Sequence, residues 1–104
     1  MGVELFITRS GASEPEYYSM TGATGWQEVW LPAAEKLGLD LVPHLGDGAF
    51  ARVPQEYLRE VTQQLTRLRH WMAENGYDLY VEHLDDILPA LATVNPDIDH
   101  VSFG

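Results

Sequence analysis

Residues 54–76 read PQEYLREVTQQLTRLRHWMAENG, and within them Leu58, Val61, Leu65, Leu68 and Met72 recur at steps of three and four. At 3.6 residues per turn that spacing puts all five on one stripe, so the segment is expected to be an amphipathic helix. Both ends are marked. Pro54 lacks an amide hydrogen, which is harmless in a first turn whose amides have no helical partner, and Asn75-Gly76 supplies the left-handed residue that ends a helix. About 19 residues at 1.5 Å each give a rod of about 28 Å, enough to cross a small domain. The rest of the chain is expected to pack around it.

Upstream, Val3, Leu5 and Ile7 alternate with Glu4, Phe6 and Thr8, the period of a strand with one face in a core. Residues 9–25 have loop composition around Tyr17, Tyr18 and Met20. The tyrosines either tuck over the core edge or stand exposed as contact residues. Thr24-x-x-Gln27 is a capping box that predicts a helix start near Gly25. Trp26, Val29, Trp30, Ala33 and Leu37 then share one face, Gly38 stops the helix, and Pro32 is expected to kink it. Leu39 to Leu45 and Ala49 to Val53, joined by Gly46-Asp47-Gly48, read as a hairpin, with Pro43 placing its first strand at an edge.

Downstream of Gly76, Tyr80, Leu84, Ile87, Leu88 and Leu91 have helical spacing, and Pro89 predicts a kinked or two-piece helix with Asp85 or Asp86 capping the second piece. Asn95-Pro96-Asp97 is a turn, and Ile98 to Phe103 a last strand. The order β-α-β-β-α-α-β indicates one α+β domain over residues 1–104, a small mainly antiparallel sheet with helices packed on one face.

A chain of 104 residues with 45% hydrophobic content can bury roughly 60 to 65% of its unfolded surface around one core. It has no cysteine, which removes disulfides, thiolate zinc sites and cysteine nucleophiles together. No apolar run reaches the ~18 residues of a membrane span, and the apolar run at the N-terminus is too short for a signal peptide, so a cytosolic protein is expected. Charge carries the most information. Sixteen acidic residues against six basic give a net of −10, and no Lys or Arg follows Arg69, whereas Glu74, Asp78, Glu82, Asp85, Asp86, Asp97 and Asp99 do. That balance speaks against nucleic acid and anionic membranes as partners.

Motifs for chemistry are missing. His44, His70, His83 and His100 lack paired ligand spacing, and the Glu82/Asp85/Asp86 cluster lacks the alternation and glycine of a calcium loop, so no metal is expected. No serine sits in a Gly-x-Ser-x-Gly elbow, and Gly46-Asp47-Gly48 is not a phosphate loop. The chain is therefore expected to be non-catalytic and free of cofactors. An enzyme using a carboxylate pair, or a homodimeric structural or adaptor domain, are the alternatives.

Small size, absent cysteine, strong acidity, the opening MGVELFITR, and a Trp26-x-x-x-Trp30 helix ahead of QEYLREVTQQLTRLRHWM together resemble bacterial immunity proteins of polymorphic toxin systems. The resemblance implies a cytosolic protein that neutralises a cognate toxin by covering its active site or a nearby surface. Toxins that attack nucleic acids tend to carry basic clefts, and an acidic inhibitor is steered to such a cleft. On that reading Asp78, Glu82, Asp85, Asp86, Asp97 and Asp99 form the candidate electrostatic surface, with Tyr17, Tyr18 and Tyr80 as candidate anchors.

Overall fold

A computed structural model describes residues 2–104. Its elements are β1 (Val3–Thr8), β2 (Glu16–Thr21), α1 (residues 23–37), α2 (Gln55–Glu74), α3 (Asp78–Ala92) and β3 (His100–Phe103). The three strands form one antiparallel sheet in the order β2-β1-β3. Strand alternation sends Val3, Leu5 and Ile7 of β1, Met20 of β2, and Val101 and Phe103 of β3 into the core. Phe6 and Tyr17 face the other way and pair with ring centroids 5.5 Å apart. The architecture is the expected α+β sheet with helices on one face, but its element order differs.

Helix α2 matches its sequence signals closely. Val61, Leu65, Leu68 and Met72 are buried, Pro54 is the N-cap, and Gly76 takes a left-handed φ of 81° just after the helix. One polar residue shares the stripe. Gln64 is only 4% exposed, and its Oε1 accepts from the amides of Leu41 and Val42 at 2.9 and 3.2 Å while its Nε2 donates to Asp40 at 2.7 Å. This side chain does for residues 40–42 what a neighbouring strand would otherwise do.

That contact corrects the hairpin expected over residues 39–53. Leu39 to Leu45 is not a strand: the Leu39 amide bonds back to Ala34, Gln64 takes the next pair of amides, and Val42–Leu45 closes into a 3-10 turn. Residues 50–53 run along β3 instead. Phe103 donates to the Phe50 carbonyl and Val53 to the Val101 carbonyl, both at 2.8 Å. Segment 9–25 is corrected too, because Glu16–Thr21 is a full strand paired with β1. Its alternation is disguised by a carboxylate on the inner side and a tyrosine on the outer. Glu16 is tolerated there because Arg9 Nε donates to it at 2.7 Å and the Tyr18 hydroxyl donates to it at 2.8 Å.

Helix α1 starts at Ala23 behind Gly22, whose carbonyl accepts from the Trp26 amide, so Thr24 lies inside the first turn and the capping box is not formed. Pro32 is accommodated by a π turn over Trp26–Trp30, in which the Leu31 amide reaches back to the Trp26 carbonyl. That wider turn makes room where a proline ring would press on the carbonyl four residues earlier. Trp30 is fully buried, edge-on to Tyr80 at 5.7 Å and 6.2 Å from Trp26, and its indole N–H has no acceptor among the described residues. Tyr80 stacks on Tyr77, and Tyr77 on Trp71, so an aromatic row links all three helices.

Helix α3 is one unbroken element with Pro89 inside it, rather than two pieces capped by Asp85 or Asp86. Pro89 is exposed, so water reaches the carbonyl whose amide partner it lacks. The helix packs along β2, where His83 Nδ1 contacts the Met20 carbonyl oxygen at 2.7 Å. The last strand is shorter than expected. Ile98 is exposed in a turn held by Asn95, and pairing with β1 begins only at His100. None of the helices is long and apolar enough to cross a membrane.

Two substitutions on α2 test this packing by urea unfolding. Leu65→Ala is expected to cost roughly 2 to 5 kcal/mol, as buried leucine truncations do. Gln64→Leu adds apolar surface yet is expected to destabilise by roughly 2 to 4 kcal/mol, because two amides lose their acceptor. A Gln64→Leu protein as stable as wild type would show that residues 40–42 do not depend on that side chain.

Candidate functional site

The face of α3 opposite its buried Leu84, Ile87 and Leu91 carries Asp78, Glu82, Asp85 and Asp86, all exposed. Offsets of three, four and eight residues place these four side chains on one ridge along the helix. Leu79 stands beside them, 59% exposed, with Glu82, His83 and Asp86 three, four and seven residues further on. Sequence reading missed Leu79. Its signal is that it falls outside the stripe of Tyr80, Leu84, Ile87 and Leu91, yet is as apolar as any of them.

The ridge is not purely anionic. Arg69 on α2 reaches across, donating from Nε to Asp85 Oδ1 at 2.6 Å and from Nη2 to Oδ2 at 3.3 Å. This hydrogen bonding and the guanidinium charge hold the Asp85 carboxyl below the usual aspartate range. Asp78, Glu82 and Asp86 make no ion pair among the described residues.

The nine residues singled out from the sequence do not form one surface. The four acids of α3 come together as the ridge. Tyr18 lies at its flank on β2: its hydroxyl is pushed up first by the bond to Glu16, then by burial and the Glu16 charge, with Asp86 among the smaller contributors. Tyr17, 56% exposed on the opposite sheet face, is raised by desolvation and then by the Glu4 charge. Tyr80 is half-buried between Trp30 and Tyr77, which makes it part of the core margin.

Asp97 and Asp99 belong elsewhere, to the loop before β3. Gln55 Nε2 donates to Asp97 at 2.7 Å. The Asp99 side chain is only 8% exposed, accepting from the amides of Ser10 and Asn95 at 2.8 and 2.9 Å with Arg9 at 3.7 Å. The Asn95 amide, then the Ser10 amide, and then Arg9 and His100 hold its carboxyl below the usual range. Asp99 therefore acts as a clamp on the loop. Among the described residues no group of three or more His, Asp or Glu side chains converges as a metal site.

No family model matches this chain, and neither a curated protein nor a solved structure is similar to it.

Glu16 and Asp47 join Asp85 and Asp99 among carboxyls held low, Glu16 by Arg9 and Tyr18, and Asp47 by the Ala49 amide and His44. A carboxyl with a folded pKa below its unfolded one adds stability above the unfolded value, and that stability is lost as pH falls through the folded one. Stability is thus expected to be flat down to the ordinary values of 4.5 for Glu and 3.8 for Asp and to decline below them. Urea midpoints taken through that range check the decline. Arg69→Gln is expected to shallow it, and an identical acid limb in that variant would remove Asp85 from the account.

Proposed function

We propose that the protein is a non-catalytic immunity protein, which binds a cognate toxin through the α3 ridge and holds it inactive in the cytoplasm of the cell that makes both. One observation carries this reading: an exposed leucine set among carboxylates on the outer face of a helix, in a chain of net charge −10. Charge without an apolar group steers but does not anchor, and a single apolar group without charge does not select a partner. The ridge has both.

Carboxylates one helical turn apart, about 5.4 Å along the axis, present a row of negative charge to a basic cleft of the kind that holds a phosphate backbone. The row raises the encounter rate with such a cleft, and Leu79 with the adjoining β2 margin excludes water once contact is made. Occlusion of the cleft needs no turnover. The partner on this reading is a basic protein, with neither nucleic acid nor membrane involved.

The test begins with the immobilised protein and a lysate of its own source, eluted in rising salt. A captured basic protein that is toxic when expressed alone and harmless when co-expressed with this chain establishes the inhibitor. Against that toxin, Glu82→Lys with Asp86→Lys is expected to slow association at least tenfold at low salt and to abolish protection, with little change in thermal stability. Asp85 is left in place because Arg69 depends on it. Full protection by the double variant would place the contact on another surface.

A further inference from the structure

Away from the ridge, two clefts of about 300 and 270 Å³ meet along the N-terminal half of α2, where Gln55, Leu58 and Pro96 line both. One end is polar and holds Arg52 and His100; the other is an apolar trough whose walls include Leu91 and Val94. A cavity of this size, mostly apolar with a few polar groups gathered at one end, has the build of a small-molecule site.

The polar end decides the ligand's charge. Arg9 and Arg69 are ion-paired with carboxylates, whereas Arg52 at this end and Arg59 on the trough wall have none within 4 Å among the described residues. Its Nη2 lies 2.8 Å from His100 Nδ1. A guanidinium only donates, so that nitrogen accepts and the imidazole proton sits on Nε2, a second donor. The two carboxylates lining this end are engaged, Asp97 by Gln55 and Asp99 by the amides of Ser10 and Asn95. Both Asp99 oxygens are taken and Asp97 keeps one free, so the remaining N–H groups of Arg52 and His100 outnumber the free carboxylate oxygens at this end.

We infer that this groove binds a small amphipathic carboxylate, with its head on Arg52 and His100 and its chain in the trough beside Leu58, Leu91 and Val94. A planar guanidinium matches a carboxylate in two parallel bonds, and a polar end with one guanidinium beside Asp97 suits a monoanion better than a phosphate dianion. At about 30 Å³ for each small group, the trough takes a chain on the order of eight carbons. The site is independent of the α3 ridge and of the toxin-binding reading.

Butanoate, hexanoate, octanoate and 1-octanol, each titrated into the ¹⁵N-labelled protein and followed by amide shifts, test it. Octanoate is expected to saturate one site and move the amides of residues 52–58 and 91–101. Affinity is expected to rise roughly threefold to fourfold per added methylene, and octanol to bind at least tenfold more weakly than octanoate. Arg52→Gln, an exposed change whose spectrum shows whether the fold is kept, is expected to weaken octanoate at least tenfold and leave octanol unaltered. Linear shifts without saturation, octanol binding as tight as octanoate, or an Arg52→Gln protein with wild-type affinity would each overturn the site.

Discussion

The apolar stripe of α2 has to be buried, and a sheet of three short strands offers little area to bury it against. Leu5, Ile7, Val101 and Phe103 supply one wall, and α1 and α3 supply the others, so each helix reaches the core partly through its neighbours. Gln64 shows how tightly this is arranged. It sits within the apolar stripe because segment 40–42 has no strand beside it, and one side-chain amide there replaces a ladder of backbone bonds. Buried polar groups of this kind are costly when half satisfied and specific when fully satisfied.

Legibility in the sequence followed the range of the interactions concerned. Helix α2 and strand β1 are specified by their own periodicity and appear where that periodicity puts them. Strand β2 is not, because its inner side carries Glu16, a partly exposed carboxylate bonded to Arg9 and Tyr18, where the pattern would call for an apolar residue. The hairpin over 39–53 failed for a similar reason: its apolar content is real, but its backbone partners are α1, Gln64 and β3. Pro32 and Pro89 were both expected to disturb their helices: a π turn precedes the first, whereas helix runs unbroken through the second.

The candidate site was legible in part. Helical spacing alone gathers Asp78, Glu82, Asp85 and Asp86, since residues within one helix keep their offsets. What that spacing does not contain is the cross-helix reach of Arg69 or the clamping of Asp99 by amides from two loops. A count of charges by segment therefore overstated how much of the acidic third forms one surface. The clefts beside Arg52 draw on residues 52–63 and 91–101, and no local pattern joins them.

A sheet of three strands has two edges, and each is an invitation to a fourth strand from another molecule. Here each is met in part from within. Residues 50–53 bond along β3, and α3 lies along β2 with His83 on the Met20 carbonyl. Intermolecular strand addition is the route by which small sheets become ribbons and then aggregates. A chain whose edges are taken up in part by its own residues offers less free backbone to such addition, while the outer face of α3 stays open to solvent.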